Sequence, residues 1–320
     1  MTNDATDIRA LAMGVHVLDV LVRPVEEIPA GQGGSLVEQI TISAAGTAGA
    51  PALVMSKLGA QVRSAGVIGT DTLGDLLTSL LQRDGVDTSL LQQIPDVQTS
   101  ASVLPIRPDG SRPALHVVGT NQYLAQHIPW DALAEAEIVH LGGAEFYGGD
   151  TAAQILSRAR EHGAITSADS LAPGVPDALA YVRSALPHLD YLLPNDEQII
   201  GWTGASNLHD GCRRLIECGA QCVVATAGAA PTVIATRDGI TEVPAFSIDV
   251  VDTSGCGDAF TAGFMYAIAL GMTPVAAATF GNATAAQVAQ GLGSDFGIYN
   301  FHSVQQFVAD HGRSLNNHER

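Results

Sequence analysis

The chain has 320 residues, of which 46% are hydrophobic, so it can bury a large core as one α/β domain or as a main domain with a small appendage, and extensive disorder is excluded. Its formal net charge of -18 argues against binding to nucleic acid or to an anionic membrane, because the field of the protein repels phosphates. An anionic ligand must therefore be held by local backbone donors.

The predicted elements alternate between helices and strands along most of the chain. Three helical segments each end at a glycine, which closes a helix cheaply because it reaches the left-handed conformation, and a short β-branched run follows. In chain order the predicted strands are 11–13, 62–68, 138–141, 165–167, 191–193 and 222–226, and the predicted helices are 51–58, 154–162 and 208–218. This alternation predicts a doubly wound, mostly parallel sheet flanked by helices, with ligands at the carboxyl ends of the strands.

Two segments depart from this alternation. Residues 17–43 and 97–122 alternate apolar and polar side chains and contain turn signals such as Pro108-Asp109-Gly110, a pattern typical of antiparallel strands outside the main sheet. We expect them to form a small β-sheet lid over the carboxyl edge. Two surface hairpins without function are the alternative interpretation.

Export and membrane insertion are not expected. The first nine residues are polar and acidic, unlike an ordinary signal peptide. The most apolar stretch, 259–280, is interrupted by Gly263, Gly271 and Pro274 before it reaches the roughly 20 residues of a membrane helix, so it predicts buried core helices. The cysteines at 212, 218, 222 and 256 show no Cys-x-x-Cys spacing, which favours a reduced cytoplasmic protein.

The segment 250–260 is where the sequence predicts an anion-binding turn and a catalytic carboxylate. An apolar strand is predicted to lead through Gly255 and Gly257 into a long helix, and these glycines let the backbone approach a ligand closely. The free amides of the first helical turn form an anion site that needs no lysine or arginine. Asp258 would project into the same pocket, where it can accept the proton of a hydroxyl that attacks a phosphoryl group.

Spacing alone also fits simpler interpretations. Asp258 could be a helix N-terminal acid favoured by the dipole, and Cys256 could be a reactive thiol, because a helix N-terminus lowers a thiol pKa. Neither the Gly-x-Gly-x-x-Gly of a dinucleotide fold nor the Gly-x-x-x-x-Gly-Lys-Ser/Thr of a Walker-type ATPase occurs where it is needed. The histidines at 16, 116, 127 and 140 lack metal-like spacing and are interpreted as core or surface residues.

The segment Asp252-Thr253-Ser254-Gly255-Cys256-Gly257-Asp258-Ala259-Phe260 resembles the signature Asp-Thr-x-Gly-Ala-Gly-Asp-x-Phe of the ribokinase family, the PfkB-type carbohydrate and nucleoside kinases. The resemblance implies a single ribokinase-like kinase domain over residues 1–320, with the lid segments within it. It implies that Asp258 is the catalytic base and that Gly255, Cys256 and Gly257 join it in supplying the anion-hole amides. Asp252 falls where the family often holds a monovalent cation such as K+.

The likeness extends along the chain. Asp19, after Gly14, matches the acid that binds substrate hydroxyls, and Glu145 falls where sugar-binding members can place a carboxylate against the substrate. The sugar loop corresponds to residues 45–50, whose substrate-binding candidates are Gly46 and Thr47. The resemblance implies cofactor-binding roles for four further residues, which are Asn195, Thr226, Gly228 and Asn282.

Three positions depart from the family pattern. The sugar loop lacks its first glycine and has Ala50 in place of the substrate-binding asparagine, which argues against ribose-type recognition. The Asn-x-x-Glu motif ends in Gln198, with Glu197 beside it, so magnesium positioning is expected to differ. Pro231 replaces a glycine of the nucleotide turn, which indicates a local change of loop shape.

Together these features predict an ATP-dependent kinase that uses Mg2+ and phosphorylates a hydroxyl of a small carbohydrate, either a monosaccharide or a polyol. An adenosine-like nucleoside kinase and a catalytically weak, sugar-sensing binding protein are the alternatives. No nucleic acid or membrane partner is expected. Because ribokinase-like lids often pair between subunits, we expect a homodimer.

Overall fold

The computed structural model describes residues 8–108, 110–172 and 174–315. Asp109, in the middle of the predicted lid turn, lies outside the described residues, as do the first seven residues, on which the signal-peptide prediction depends.

The described residues form thirteen strands and nine α-helices. The strands are β1 (Arg9–Gly14), β2 (Val17–Arg23), β3 (Gln39–Ala45), β4 (Gln61–Gly69), β5 (Asp87–Ile94), β6 (Ala101–Pro105), β7 (Leu115–Val117), β8 (Ile138–Gly142), β9 (Ile165–Ala168), β10 (Tyr191–Leu192), β11 (Val223–Ala225), β12 (Thr232–Thr236) and β13 (Gly239–Val243). The helices are α1 (Gly49–Leu58), α2 (Thr72–Arg83), α3 (Gly149–Glu161), α4 (Leu179–Val182), α5 (Asp196–Thr203), α6 (Leu208–Glu217), α7 (Cys256–Ala269), α8 (Pro274–Val288) and α9 (Phe301–Asp310).

Nine strands form the main sheet, in the order β13-β12-β11-β10-β9-β8-β1-β4-β5. Every neighbouring pair is parallel except β11–β12 and β12–β13. Successive residues of β1 belong to two different apolar cores, Ala10 and Ala12 to one and Leu11 and Met13 to the other. Because side chains alternate across a strand, the two cores lie on opposite faces. The predicted doubly wound, mostly parallel sheet is therefore confirmed.

The predicted helix ends match the structure better than the predicted starts. Gly59, Gly163 and Gly219 follow α1, α3 and α6 with positive φ angles of 113°, 85° and 113°, as expected for residues that end a helix in the left-handed region. Two of these helices begin earlier than predicted, α1 at Gly49 and α3 at Gly149. Propensity alone could not place these starts, because both helices begin at a glycine.

The predicted strand before residue 252 is wrong. Residues 244–250 form no strand, and the Val251 amide donates instead to the Ala289 carbonyl at the end of α8, at 2.8 Å. The chain therefore reaches α7 beside a helix end, where no strand is available to extend the sheet. The apolar stretch that follows forms α7 and α8, which are largely buried, as predicted. Within the described residues, no helix has both the length and the apolar character needed to cross a bilayer.

The small second sheet has the order β3-β2-β6-β7 and is called the lid below. The sequence predicted antiparallel strands here, and this is correct for β2–β3 and β6–β7 but wrong for β2–β6, which is parallel. The reason is topological. β2 follows β1 and β6 follows β5, and these two parallel strands end at the same edge of the main sheet, so both lid strands leave that edge in the same direction.

Candidate active site

The start of α7 forms a turn with exposed backbone donors. Gly255 precedes the helix with φ 69°, and no side chain caps it. A Cβ atom at Gly255 would lie 2.4 Å from the Ser294 Cα, so only glycine fits there. The Ala259 amide donates to the Gly255 carbonyl at 2.8 Å, whereas among the described residues the amides of Gly257 and Asp258 have no acceptor. No atom lies within 4 Å of a Cβ built on Gly257, so the turn faces open space.

Asp252 holds this turn in shape. Its Oδ1 accepts hydrogen bonds from the Ser254 amide at 2.9 Å and from the Ser254 hydroxyl at 2.8 Å. Its Oδ2 accepts from the Gly293 amide at 3.3 Å, which ties the turn to the loop after α8. No group of three or more His, Cys, Asp or Glu residues suited to a metal ion occurs in the part of the chain that the structure describes.

Asp258 lies in the first turn of α7, among other charged groups. Burial raises the pKa of its carboxyl well above the ordinary value, and the negative charge of Asp169 adds to this effect, as does that of Asp19 more weakly. His140 and Arg112 oppose the rise. Asp258 is therefore a carboxyl group whose charge state depends on its neighbours.

Cys256 does not have the properties of a reactive thiol. Burial raises its pKa to about 12, and the charge of Asp252 acts in the same direction. A thiol reacts as the thiolate, so this result argues against the alternative interpretation of Cys256. The Cys256 amide donates to the Thr253 carbonyl at 3.3 Å, so the residue contributes to the turn through its backbone.

The lid carries a row of polar side chains across neighbouring strands. Asp19 on β2 pairs in register with Ser43 on β3 and with Ser102 on β6, and Ser102 pairs with His116 on β7. The Ser102 hydroxyl lies 2.9 Å from Nδ1 of His116. Burial raises the pKa of Asp19 to about 6, although the Ser102 hydrogen bond lowers it. Within the described residues Asp19 Oδ1 is buried without a hydrogen-bond partner, which leaves this oxygen available to a ligand.

The loop at residues 45–50 connects the lid to α1. Gly46 has φ 86°, and a Cβ atom there would lie 2.6 Å from the Val15 carbonyl oxygen. The Thr47 hydroxyl is buried and, like Asp19 Oδ1, has no partner among the described atoms. Ala50 is fully buried in the first turn of α1. The loop therefore has a buried hydroxyl without a partner at Thr47 and no amide side chain at position 50.

Similarity to known proteins now identifies the chain. Residues 15–298 match the pfkB family of carbohydrate kinases. The chain belongs to this family. It is 29% identical over 260 residues to an ATP-dependent ribose-1-phosphate kinase of Halopiger xanaduensis, covering 81% of this chain and 84% of the relative. It is 27% identical over 310 residues to a nucleoside kinase of Methanothermobacter thermautotrophicus, covering 94% and 96%.

The fold agrees with this family. The structure of an Arabidopsis thaliana ribokinase complexed with ribose and ATP superimposes with a TM-score of 0.81 at 20% identity, covering 94% of this chain and 98% of that one. The predicted family, ribokinase-like fold and enzyme class are therefore confirmed, and the protein is a kinase of the PfkB carbohydrate kinase family.

Glu145 of this pfkB-family kinase is engaged by the protein itself. It lies in the short 3-10 helix Ala144–Phe146. Its carboxylate accepts hydrogen bonds from the Ser170 hydroxyl at 2.8 Å and from the Leu171 amide at 2.7 Å. Burial raises its pKa, and these hydrogen bonds oppose the rise. The side chain thus holds the loop after β9, in contrast to Asp19 with its unpaired oxygen.

A helix cap explains why Gln198 stands in place of the glutamate of the Asn-x-x-Glu motif. Asn195 caps α5 and forms a reciprocal capping box with Gln198. The Gln198 Nε2 also donates to the carbonyls of Ser170, at 2.6 Å, and Ala172, at 3.2 Å. A glutamate could not make these two bonds, because a carboxylate only accepts. Glu197 is exposed beside this cap.

The residues predicted to bind the nucleotide include the cap residue Asn195 and three residues later in the chain. Asn195 pairs with Thr226 in an isolated β-bridge, and Gly228 follows with φ 57° and no atom within 4 Å of a Cβ built on it. Asn282 lies on α8, where its Oδ1 accepts from the Thr232 hydroxyl at 2.9 Å. Its amide nitrogen donates to the carbonyls of Val243, at the end of β13, and of Pro244, at 3.4 and 3.3 Å. Pro231 immediately precedes β12 and is exposed.

The lid also contacts the turn before α7, at Thr253, through a residue that sequence analysis missed. Arg112, between β6 and β7, donates to the Thr253 hydroxyl and to the Thr253 carbonyl, both at 3.3 Å. Beside it a small apolar cluster joins lid and turn, and its members are Leu21, Leu104, Ile106, Leu292 and Val251. No sequence signal marked Arg112, because its partner lies 141 positions later.

The only lysine fixes the loop after α8. Lys57 Nζ, on α1, lies 2.6 Å from both the carbonyl and the Oδ2 of Asp295, and 5.4 Å from the centre of the Tyr299 ring. Asp295 Oδ1 accepts from the Ser43 hydroxyl on the lid at 3.3 Å. The ion pair thus joins α1 to this loop, and the hydrogen bond from Ser43 joins the same aspartate to strand β3.

Proposed function

We propose that the protein transfers the terminal phosphoryl group of ATP to a hydroxyl of a small carbohydrate, a monosaccharide or polyol. The observation that supports this most directly is the start of α7, where the amides of Gly257 and Asp258 lack acceptors and open space adjoins Gly257. Such amides stabilise the charge of a transferring phosphoryl group.

In this proposal Asp258 accepts the proton of the acceptor hydroxyl as its oxygen bonds to phosphorus and the bond to the leaving ADP breaks. Within the predicted anion hole at residues 255–258, the amides of Gly257 and Asp258 hold the phosphoryl oxygens, while the Cys256 amide supports the turn by donating to the Thr253 carbonyl. Asp19 orients the acceptor through its unpaired Oδ1, together with Gly46 and the Thr47 hydroxyl. Glu145 contributes by holding the 170–171 loop against the site.

The chain also fits a bound nucleotide. Open space beside Gly228 and Gly257 lets backbone approach phosphates, and we assign the nucleotide to Asn195, Thr226, Gly228 and Asn282. When bound, ATP supplies the phosphoryl group and Mg2+ neutralises its charge. A monovalent cation such as K+ would lie against Asp252, whose carboxylate has acceptor capacity beyond its three hydrogen bonds.

A nucleoside is the second candidate acceptor. Ala50 removes the amide that the family pattern uses for ribose-type sugars, and the similarity to the Methanothermobacter nucleoside kinase extends over most of both chains. The third alternative, a sugar-sensing protein with little activity, is less well supported because Asp258 and the open α7 turn are both present.

We also propose that the protein is a homodimer that assembles through its lids. The outer face of the lid is apolar and exposed, with Ile42, Val103 and Leu115 exposed by 44%, 42% and 64%. Monomeric proteins seldom leave such a face uncovered, and a second copy presents the same apolar face. That residues 1–320 act as one kinase domain in the cytoplasm stays a prediction.

The decisive experiment replaces the proposed base. Asp258→Asn is expected to lower kcat by about 10² to 10⁴, the usual contribution of a general base, in an ADP-release assay over a panel of monosaccharides, polyols and nucleosides. Asp249→Asn is the matched control, because Asp249 is exposed and precedes the turn. Turnover of Asp258→Asn within a few-fold of the parent would contradict the assignment. The panel itself separates sugar from nucleoside acceptors.

A further inference from the structure

A buried histidine is among the charged groups that act on the proposed base, and the proposed function gives it no role. His140 is on the central strand β8 and is fully buried. Its Nε2 lies 2.9 Å from the Thr47 carbonyl oxygen and 3.5 Å from Asp169 Oδ2. Its Nδ1 lies 3.0 Å from the Ser167 hydroxyl on the neighbouring strand β9. Every polar atom of the ring therefore has a partner.

The partners determine where the ring carries hydrogen. A carbonyl oxygen can only accept, so Nε2 carries a hydrogen that faces Thr47 and Asp169. The Ser167 hydroxyl can donate or accept, so Nδ1 accommodates either the neutral or the protonated ring. Burial alone lowers the pKa of His140, but the charge of Asp169 and the hydrogen bonds outweigh it, and the pKa is raised. The charged form is thus favoured in a fully buried position.

Asp169 is fixed from its other side. Its Oδ1 accepts from the Gly143 amide at 3.2 Å, and its backbone carbonyl accepts from the Ala144 amide at 3.4 Å. The residue follows β9 directly and is itself buried. These bonds hold the carboxylate at the carboxyl edge of the sheet, beside His140, from where its charge also acts on Asp258.

The same face of β8 also sets the position of the substrate loop. His140 and Gly142 are two residues apart, so they point to one face of the strand. A Cβ atom at Gly142 would lie 2.1 Å from the Thr47 carbonyl oxygen, so the loop packs directly on the strand. His140 donates to that same oxygen. Gly142 therefore gives the Thr47 carbonyl room to approach the strand, and His140 binds that carbonyl.

We propose that His140 is a positioning residue for phosphoryl transfer: its buried ion pair with Asp169 anchors the Thr47 loop and balances the negative charge around the Asp258 carboxylate. The charged groups that act on Asp258 come from three sides. The sheet contributes His140 and Asp169, the lid strand β2 contributes Asp19, and the lid turn contributes Arg112. His140 is the cation on the sheet side.

The proposal rests on Asp258 being the base, and it predicts a directional change in the pH profile. Loss of the His140 charge makes ionisation of Asp258 less favourable, so the acid limb of kcat/KM moves to higher pH in His140→Gln. A neighbouring unit charge typically shifts a pKa by about one unit or more, so we expect an upward shift of about one pH unit. Activity near pH 7 falls about 10-fold and recovers in alkali.

A second substitution provides the rescue. The double variant His140→Gln/Asp169→Asn removes both charges of the pair, so we expect its acid limb to return to within about half a pH unit of the parent. A purely structural role for His140 predicts no shift of the limb in either variant. An unmoved limb in His140→Gln, or a double variant displaced as far as the single one, would overturn the proposal.

A measurement on the unmodified protein keeps the proposal testable if a variant fails to fold. In NMR spectra of the parent labelled at histidine, the His140 ring is expected to titrate above the ordinary value of about 6.5, and a ring that is neutral at pH 6 would overturn the proposal. Failure of the base assignment is distinguishable, because Asp258→Asn then keeps its turnover whatever the His140 variants do.

Discussion

The two walls of the cleft are built differently. On the sheet side, the side chains of His16 and His140 are buried and that of Glu145 is half-buried, and all three have hydrogen-bond partners supplied by the protein. On the lid side, Asp19 has an unpaired buried oxygen, and the opposite face exposes Ile42 and Leu115. These sheet-side groups already have partners within the protein, whereas the lid wall presents groups that the proposed substrate and the proposed second copy would cover.

Because of this difference, substitutions in the two walls should affect different properties, namely stability for the sheet wall and binding for the lid wall. Substitutions in the sheet wall remove interactions that the fold already has, so they should alter unfolding and its pH dependence. Substitutions in the lid remove interactions that form on binding, so they should alter assembly or turnover while leaving the free energy of unfolding nearly unchanged. Three experiments test this contrast, in order of decreasing expected effect.

The largest effect is expected at His16 in the sheet wall. Its Nδ1 lies 2.9 Å from the Gly14 carbonyl oxygen, and its Nε2 lies 2.7 Å from the Ser64 hydroxyl, which satisfies a neutral ring. Burial lowers the pKa of His16 to about 4, although the bond to Gly14 opposes this. The unfolded chain takes up the proton near pH 6.5, so the stabilisation is fully present above that pH and is lost as pH falls towards 4.

Between about pH 7 and pH 5, the free energy of unfolding should therefore fall by about 2 kcal/mol more in the parent than in His16→Gln. Urea unfolding of both proteins at the two pH values measures the difference. His162→Gln, at an exposed position, serves as the control and should behave like the parent. Equal pH slopes for the parent and His16→Gln would contradict the role of His16.

The next effect concerns the outer face of the lid. Ile42→Asp is expected to weaken the proposed dimer by about 20-fold, because a carboxylate would be desolvated in an apolar interface. Sedimentation velocity over a range of protein concentrations measures it. Val275→Asp, at a similarly exposed site on α8, should leave assembly unchanged. A parent that stays monomeric at high concentration would refute assembly through the lids.

The smallest effect is expected at Arg112. Arg112→Gln removes the lid's two contacts with Thr253 and a positive charge near Asp258. Because the side chain is exposed and screened by solvent, we expect kcat/KM to fall only about 3- to 10-fold, and less at high salt. Arg107→Gln, on the same exposed arm, is the control. Equal kcat/KM for the two variants would show that Arg112 has no special role.

Much of the architecture could be predicted from local signals. The glycines after α1, α3 and α6 marked helix ends because a left-handed residue is a local requirement. The segment 252–260 predicted an open helix start for the same reason, since the left-handed Gly255 and the bonds of Asp252 to Ser254 are local, although the distant Gly293 and Ser294 also contact the turn. The strand predicted at Val250 failed because strand formation depends on a neighbour, and the neighbour there is the end of α8.

The missed site residues share one cause. His140, Asp169 and Arg112 act through partners far away in the chain, and parallel strand pairing or the lid turn brings them together. Sequence analysis assigned His140 to a core or surface role because it tested only metal-like spacing. Asp169 offered one usable signal, since it lies two residues after the predicted strand 165–167, at the edge where ligands bind.

The Lys57 ion pair has a practical consequence. Because the chain has a single lysine, the main-chain amino terminus provides the other primary amine for acylating reagents. In the folded protein the Lys57 side chain is only 16% exposed and its ammonium is held by Asp295, so its rate of acylation should report how often the loop after α8 detaches from α1. Peptide mass spectrometry of time-resolved labelling could therefore follow this detachment without any engineered probe.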